Sequence, residues 1–313
     1  MQMSEQLRKY FVKDMSIPIQ VLQDPYFYNY IQLLDPYFDT FQKMKLLEDA
    51  IEFYDSEEDF MVDSARIRNY ILNTIKALDA YKRFNTMDMS SFRPISLVNN
   101  QNLYNPFNDG KLFVSIDLVK ANFQSLEYAV NGIWNELSEG IHSYTDLVTY
   151  FSSTDYFRKS KKIRQIIFGN LNPKRQQTIQ RHIMSLLKAD LIKDDVIKEN
   201  DIKMASSDEL VWVEENERLG YSDIAPALEE RAIEVANAKV RVTIFRLKRV
   251  GTDNFKFYVK EEINENGEKK IIKGVNSAYM PEVVRFLNGE SSLEVDRFYM
   301  NDGRLSKFVN PLF

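Results

Sequence analysis

The sequence predicts an α+β fold built from a helical N-terminal domain, a mixed αβ unit and a basic β-rich C-terminal segment. Three observations predict this arrangement. Apolar residues recur at helical spacing in the first hundred residues, a strong turn signal at residues 105–110 precedes an apolar run, and strand-like runs separated by turns follow residue 239. We therefore divide the chain at residues 1–104, 105–238 and 239–313.

The N-terminal part contains two start signals and one long amphipathic pattern. Asp24-Pro25 and Asp35-Pro36 each place a capping carboxylate before a proline, which predicts a helix start at both positions. A further core-facing helix is expected between Ser64 and Phe84. Its apolar residues fall on one face, and they are Ile67, Tyr70, Ile71, Ile75, Leu78 and Tyr81.

Composition excludes several classes of site and of protein. The 313 residues contain no cysteine and two histidines, so disulfides, thiolate metal sites, a cysteine nucleophile and a histidine-rich zinc site are excluded. Metal chemistry would use carboxylates, which suit Mg²⁺ or Mn²⁺. No apolar run approaches the roughly 20 residues that cross a bilayer, and the first residues do not resemble a signal peptide. We expect a soluble, cytoplasmic protein without a membrane partner.

The net charge of −5 hides a strong segregation of charge along the chain. Residues 1–60 are rich in acids, whereas Phe157 to Lys188 contains no Asp or Glu. This second stretch predicts an anion-binding surface on an acidic protein. Its basic residues are Arg158, Lys159, Lys161, Lys162, Arg164, Lys174, Arg175, Arg181 and Lys188.

The middle of the chain alternates strands and helices. A strand over residues 111–116 ends at Asp117, and helical composition follows up to Ala129. Helices are expected over 143–151, from Ser153 or Thr154 to about Gly169, from Asn172-Pro173 through Leu187, and over about 223–238. Residues 202–205 and 210–213 predict a hairpin with Asp208 and Glu209 at its turn. Residues 240–250, 255–262 and 269–275 predict a basic antiparallel meander.

Asp117 and Asp208 are candidates for two-metal phosphoryl transfer. That chemistry needs two carboxylates from separate strands that converge on ions about 4 Å apart. The acid-free helix between them in sequence could hold a triphosphate. Each feature also has an ordinary explanation, because acids are common at turns and helix caps and a basic helix is often a solvated surface.

The order of these elements resembles motifs A, B and C of template-directed polymerases with a right-hand palm. Residues 206–213, Ser-Ser-Asp-Glu-Leu-Val-Trp-Val, are similar to motif C of family A DNA polymerases. Residues 161–169, Lys-Lys-Ile-Arg-Gln-Ile-Ile-Phe-Gly, are similar to motif B of family B. Residues 115–121, Ser-Ile-Asp-Leu-Val-Lys-Ala, resemble motif A, and Lys256-Phe257-Tyr258 is similar to the Lys-x-Tyr element of family B.

The resemblance implies a palm- and fingers-like catalytic unit over 105–238, a thumb-like segment over 239–313, and a role for each matched residue. The Asp117 carboxylate, the Leu118 carbonyl and the Asp208 carboxylate would bind Mg²⁺ or Mn²⁺, with Glu209 as a secondary ligand. Arg158, Lys161, Lys162 and Arg164 would bind the triphosphate, and Phe168 would pack near the incoming base. Lys256 and Tyr258 would hold the primer, and Lys174 and Arg175 would contact nucleic acid. Asn122 stands where family B has a sugar-screening tyrosine, and Ser207 stands where family A often has a histidine.

The sequence therefore leaves two main functions open. The first is a nucleotidyltransferase resembling a DNA polymerase, with nucleoside triphosphates, primer–template and replication proteins as partners. The second is a non-enzymatic nucleic-acid-binding accessory protein of replication, and a palm relic that acts through protein contacts is a third. The Asn-, Lys-, Ile- and Tyr-rich composition is typical of a bacteriophage or low-GC bacterial protein, which would place it in the host cytoplasm.

Overall fold

A computed structural model describes residues 3–94, 100–215, 221–264 and 267–313. The α-helices there are α1 (Glu5–Asp14), α2 (Tyr26–Phe38), α3 (Thr40–Ile51), α4 (Glu57–Ala77), α5 (Asp79–Thr86), α6 (Ala121–Ala129), α7 (Tyr144–Phe151), α8 (Asp155–Lys159), α9 (Lys161–Gly169), α10 (Pro173–Lys193), α11 (Tyr221–Ala236) and α12 (Met280–Leu287). The strands are β1 (Asn100–Gln101), β2 (Leu112–Leu118), β3 (Ile202–Ala205), β4 (Glu209–Val213), β5 (Val240–Gly251), β6 (Lys256–Asn264), β7 (Gly267–Lys273), β8 (Phe298–Asn301) and β9 (Arg304–Lys307).

The predicted α+β class is confirmed, with a helical N-terminal part and a β-rich C-terminal region. One predicted helix start is wrong, because Pro36 lies inside α2. The Asp35 carboxylate caps the following helix instead of its own. Its Oδ1 accepts hydrogen bonds from the backbone N–H of Phe41 at 2.7 Å and from the Thr40 hydroxyl at 3.2 Å, so it satisfies donors in the first turn of α3.

The helix predicted between Ser64 and Phe84 is two helices. α4 begins at Glu57, because the Ser56 hydroxyl accepts the backbone N–H of Asp59 at 3.1 Å and caps the helix. Leu78 has a ψ of 138°, which ends α4 before α5 begins. Ile71 and Ile75 are fully buried as expected, whereas 63% of Tyr70 is exposed.

The main sheet has the strand order β1-β3-β4-β2-β5-β6-β7, and neighbouring strands are antiparallel. Its centre has a βαββαβ topology: β2 leads through α6–α10 to the β3–β4 hairpin, and α11 then leads to β5 on the other side of β2. The predicted hairpin and the predicted three-stranded meander are both confirmed. This topology places β2 beside β4 and β5, which are far from it in sequence.

The two faces of the sheet differ in chemistry because side chains alternate along each strand. One face packs into the main core together with the helices, through residues such as Val114, Ile116, Leu210, Trp212 and Val242. The opposite face carries Ser115, Asp117, Glu209 and Lys260 beside a small aromatic and aliphatic cluster that includes Phe113 and Phe245.

This second face is curved inward. The Lys260 Nζ on β6 lies 3.6 Å from the Glu209 Oε1 on β4, although β2 and β5 run between these strands. In a flat sheet three strand spacings would separate the Cα atoms of these two residues by about 14 Å across the strands. Lys260 also pairs with Leu247, six residues along β5 from the Arg241 that pairs with Asp117, which adds about 20 Å along the strands. The two side chains together cannot span that distance. The sheet must therefore curl toward this side, which we call the concave face.

The third predicted part of the chain shares its sheet with the second. β5 pairs with β2 from Val240 to Arg246, across the predicted boundary at residue 238. The C-terminal region also contacts the N-terminal helices. The Tyr30 hydroxyl donates to the Val295 carbonyl at 2.5 Å, and Gln20 bonds to Ser277 at 2.7 Å and to Met300 at 3.3 Å.

Within the described ranges, no helix combines the length and the apolar character that crossing a bilayer requires.

We expect Asp14 to make folding stability depend on pH. Asp14 is buried, and this burial raises its pKa from 3.8 to about 6 against the opposing effect of its hydrogen bond from Tyr156. Between pH 4 and 6 the unfolded chain releases this proton while the folded chain keeps it, so stability falls by up to about 3 kcal/mol as pH rises. Urea unfolding of Asp14→Asn from pH 4 to 7 should lack that part of the decline. An unchanged pH slope would contradict this assignment.

Candidate active site

Two carboxylates face each other on the concave face. Asp117 on β2 is the direct cross-strand partner of Glu209 on β4. The backbone N–H of Leu118 donates to the Asp208 carbonyl at 2.9 Å, so residues 118 and 208 form a hydrogen-bonded pair and 117 and 209 do not. Such pairs have Cα atoms about 4.5 Å apart and hold their side chains close together. Like charges at these positions destabilise a sheet, so this pair requires compensation.

Three polar side chains compensate the carboxylate pair. The Ser115 hydroxyl donates to the Glu209 Oε1 at 2.8 Å. The Lys260 ammonium, 3.6 Å from the same oxygen, is buried and also lies 4.3 Å from the centre of the Phe245 ring. On β5, the Arg241 guanidinium lies 3.8 Å from the Asp117 Oδ2. Glu209 is thus compensated from inside the concave face, and Asp117 from its open edge.

The compensation is incomplete at Asp117. Burial, followed by the negative charge of Glu209 and to a lesser extent that of Asp208, raises the pKa of Asp117 to about 6. Arg241 and Lys260 act in the opposite direction. Closely opposed carboxylates are the donor set that Mg²⁺ and Mn²⁺ prefer. No cluster of three or more His, Cys, Asp or Glu side chains suited to a metal occurs within the described residues.

Asp208 lies at the hairpin turn and is held locally. Its Oδ1 accepts hydrogen bonds from the hydroxyls of Ser206 at 3.0 Å and Ser207 at 3.4 Å. The Ser206 hydroxyl also accepts the backbone N–H of Glu209 at 3.0 Å, which fixes the turn. The structure therefore pairs Asp117 with Glu209 across the strands, and it places Asp208 as a more distant third charge. The sequence predicted Asp208 as the metal ligand beside Asp117 and Glu209 as a secondary ligand.

We call four cations the cationic cluster: Lys120, Lys159, Arg164 and Arg241. Arg241 lies 3.8 Å from the Asp117 carboxylate, and Lys120 follows Asp117 by three residues. Burial and then the charges of Arg164, Lys159 and Arg241 lower the pKa of Lys120, so each of these three cations lies close enough to repel Lys120. They come from the end of β2, from α8, from α9 and from β5. An anion bound among them would relieve this repulsion.

The other predicted triphosphate ligands lie outside this cluster. Lys161 lies near Lys43. The pKa of Lys43 is lowered first by burial and then by the charges of Lys269 and Lys161. Lys162 is exposed at the start of α9. Arg158 is paired with Asp155 and donates to the Ser153 carbonyl at 2.7 Å, so its guanidinium is engaged by α8 itself and by the residues just before it.

Phe168 is fully buried and packs at 6.1 Å from the Tyr144 ring, so its predicted contact with an incoming base is wrong. The hydrophobic face of α9 contains Ile163, Ile167 and Phe168. A short motif does not reveal which face of a helix is buried, and here the aromatic residue belongs to the core.

Arg175 also has a structural role in place of the predicted nucleic-acid contact. Its Nη1 donates to the carbonyls of Phe84 at 3.0 Å and Met87 at 2.9 Å, at the C-terminal end of α5. Lys174, the preceding residue, is exposed.

This difference predicts a large loss of stability for one substitution and a small change for its neighbour. Arg175→Met should lower the free energy of unfolding by about 1.5–3 kcal/mol, because two charged hydrogen bonds to helix-end carbonyls are lost. Lys174→Met should change stability by less than about 0.5 kcal/mol. Urea unfolding monitored by circular dichroism measures both values. Equal effects would contradict the assigned role of Arg175.

Lys256 and Tyr258 alternate with Lys260 along β6, so they lie on the concave face. Tyr258 contacts the ring of Tyr104 at 5.5 Å, and Lys256 forms an ion pair with Asp253 at 3.3 Å. Their placement is compatible with contact to a strand that follows this face. Asn122, at the start of α6, accepts a hydrogen bond from Gln180 at 2.8 Å.

Sequence reasoning missed Ser115, Lys120, Arg241 and Lys260 as site residues. Ser115 and Lys120 were inside the motif A string, and alternation places Ser115 on the same strand face as Asp117. Lys260 lies two positions from Tyr258 and shares its face for the same reason. Arg241 offered no local signal, because its place beside Asp117 depends on the pairing of β5 with β2.

Comparison with protein-family models, with curated protein sequences and with solved structures found no match to this chain.

Proposed function

We propose that this protein is a metal-dependent nucleotidyltransferase, resembling a template-directed DNA polymerase, that transfers a nucleotide from a nucleoside triphosphate to a primer hydroxyl. The observation that carries the proposal is the Asp117–Glu209 pair on a concave face, with the cationic cluster at its edge. Carboxylates for divalent ions and cations for phosphates are the two requirements of phosphoryl transfer.

The chemistry assigns a task to each group. The primer hydroxyl oxygen would form a bond to the α-phosphorus, its proton would pass to solvent, and the bond from the α-phosphorus to the bridging oxygen would break to release pyrophosphate. Asp117 and Glu209 would hold Mg²⁺ or Mn²⁺, which supplies charge neutralisation at the attacking and leaving oxygens. Lys120 and Arg164 would bind the triphosphate oxygens and stabilise the leaving pyrophosphate. Lys260 and Ser115 would keep Glu209 oriented toward Asp117.

The βαββαβ topology supports the same proposal. It places the strand of the motif A string next to the hairpin of the motif C string, with their acids directly opposed. The resemblance in sequence implied that Asp117 and Asp208 lie together, whereas the directly opposed acids are Asp117 and Glu209.

The test is incorporation of labelled nucleotides onto a primed template with Mg²⁺ or Mn²⁺. Wild-type protein should extend the primer, excess EDTA should stop extension, and Asp117→Asn should lose it. Asp253→Asn is a matched control, because Asp253 is a fully exposed acid at the far end of the β5–β6 hairpin. Folded wild-type protein that extends no primer on DNA or RNA templates, with either metal, would refute the proposal.

A second candidate function is nucleic-acid binding without catalysis. Lys43, Lys161 and Lys269 come from α3, α9 and β7, and Lys161 and Lys269 both lie close enough to Lys43 to lower its pKa. Asp39 is the acid of this group, at 3.4 Å from Lys269, so the group has a net positive charge and could contact a phosphate backbone. This candidate predicts salt-dependent binding that Asp117→Asn leaves unchanged and that a Lys43→Ala, Lys161→Ala double variant weakens. Binding without incorporation would favour it.

A further inference from the structure

A cavity of about 410 Å³ lies beyond the end of β2 that carries Asp117. It is lined by the β2–α6 junction, α6, the start of α7, α10 and the end of α11. Its size falls in the range of sites that enclose a small organic ligand. Lys120 joins the two regions, because it lines the cavity and also belongs to the cationic cluster. Its Cα can be at most about 11 Å from that of Asp117, three residues earlier.

Two residues that line the cavity each carry a buried polar atom that lacks a partner among the described residues. The Tyr144 hydroxyl is buried without a hydrogen bond in a residue that is 1% exposed. The Glu127 Oε2 is also buried and unpaired, whereas its Oε1 accepts the backbone N–H of Gly132 at 2.9 Å. Buried polar groups are nearly always hydrogen-bonded, and an unpaired one costs about 1–3 kcal/mol.

These two atoms define what a ligand must offer. A carboxylate oxygen accepts, so Glu127 needs an N–H or O–H donor. Burial keeps the Tyr144 hydroxyl protonated by raising its pKa far above the ordinary value, so it can donate to an acceptor on the ligand. Nucleobase edges present donors and acceptors side by side.

The rest of the cavity fits an aromatic ring with a negatively charged substituent. Phe123 and Tyr128 contribute aromatic surface to the wall. Lys120 and Lys239, both exposed, line the mouth. The Arg164 guanidinium lies 5.6 Å from the centre of the Tyr144 ring, so this member of the cationic cluster lies next to a residue that lines the cavity.

We infer that this cavity binds a nucleoside 5′-phosphate, with the base against Glu127 and Tyr144 and the phosphates at Lys120 and the cationic cluster. The inference shares Lys120 and the cationic cluster with the proposed active site, but it does not require Asp117, Glu209 or catalysis, so binding can be tested separately from primer extension. The protein would then read the base directly, apart from any template strand.

The test is equilibrium binding of the common ribo- and deoxyribonucleoside triphosphates by calorimetry, in EDTA and without nucleic acid. Tyr144→Phe and Glu127→Gln should each weaken binding of the preferred nucleotide about tenfold, the effect of losing one hydrogen bond from a desolvated site. Tyr144→Phe removes an unpaired buried hydroxyl and should fold normally. Tyr150→Phe changes an exposed tyrosine of the same helix and should bind like wild type.

A second variant tests access to the cavity without changing its polar atoms. Ile233 lines the cavity and is 53% exposed, so Ile233→Trp should narrow the mouth without repacking the core and should abolish binding. Wild-type affinity in both Tyr144→Phe and Ile233→Trp would overturn the inference. Equal affinity for pyrophosphate and for nucleotides would also overturn it, because the cations alone would then account for binding.

The same measurements separate this inference from the proposed function. Asp117→Asn should retain nucleotide binding in EDTA while losing primer extension. Extension retained in Asp117→Asn would refute the proposed active site and leave the cavity assignment intact. If Asp117→Asn loses extension and the cavity variants bind nucleotide like wild type, the cavity assignment is refuted and the proposed active site is retained.

Discussion

Glu209→Gln is expected to reduce primer extension as severely as Asp117→Asn, on the order of 10³-fold, whereas Asp208→Asn should cost about tenfold. Asp117 and Glu209 are direct cross-strand partners on the concave face. Asp208 is held by the Ser206 and Ser207 hydroxyls, and it raises the pKa of Asp117 less than Glu209 does. The stronger charge coupling identifies Glu209 as the closer partner.

Steady-state incorporation measures this ranking, and Mn²⁺ binding by electron paramagnetic resonance provides a readout independent of turnover. Asp117→Asn and Glu209→Gln should both weaken Mn²⁺ binding strongly, and Asp208→Asn should weaken it slightly. Thermal unfolding controls for folding. Asp117→Asn should be at least as stable as wild type without metal, because it removes one of two opposed charges. Glu209→Gln also leaves the buried Lys260 ammonium without its partner, so it should be less stable than Asp117→Asn. A severe loss confined to Asp117→Asn and Asp208→Asn would restore the ranking that the sequence predicted.

Lys260→Met is expected to lower the free energy of unfolding of the metal-free protein by about 2–3 kcal/mol. The Lys260 ammonium is buried and lies within 3.6 Å of Glu209 and 4.3 Å of the Phe245 ring centre. Removing one member of a buried ion pair costs about 3–5 kcal/mol, because the other charge is left uncompensated. We lower this figure because 25% of the Glu209 side chain is exposed and water can screen it.

A double-mutant cycle isolates the interaction of Lys260 with Glu209. Lys260→Met should cost at least about 1 kcal/mol less in a Glu209→Gln background, because no negative charge is then left without a partner. Lys256→Met is the matched control, since Lys256 lies on the same strand face and its ion pair is with the exposed Asp253, and it should change stability by less than about 1 kcal/mol. Additive effects of Lys260→Met and Glu209→Gln would refute the proposed contact.

Mg²⁺ should stabilise Lys260→Met more than it stabilises wild type. A divalent ion between Asp117 and Glu209 would supply the positive charge that the variant lacks, and its binding free energy adds to stability. Unfolding midpoints with and without Mg²⁺ measure this difference. An equal Mg²⁺ effect in both proteins would refute the proposal that Lys260 and the metal ion compensate the same charge.

Local patterns were enough to predict most of the strands and to select both acids of the pair as candidates. The turn before residue 111, the alternation past residue 240 and the hairpin around Asp208 are all encoded within about ten residues, and the structure contains each of them. Asp117 was identified because a carboxylate at a strand-to-helix junction is a local feature. Glu209 was predicted as a secondary ligand in the hairpin turn around Asp208, and its position opposite Asp117 was not predicted because it depends on strand register.

The missed and misassigned residues have nonlocal contacts. Lys260 reaches Glu209 only because the sheet curls, and Arg175 binds carbonyls that lie about 90 residues earlier in the chain. Phe168 matched a motif by residue type while its helix face was turned into the core. Sequence spacing carries no information about these distances, so tertiary structure was needed to assign them.

The contacts between Gln20 or Tyr30 and the residues beyond 276 limit how the concave face can move. The N-terminal helices join the sheet through the covalent chain, and these hydrogen bonds join them to it again through the C-terminal region. The elements thus form a closed circuit, whereas a hinged pair of domains has a single connection. Substrate entry would then rely on loop and side-chain rearrangements, because a wide opening of the concave face would first have to break these hydrogen bonds.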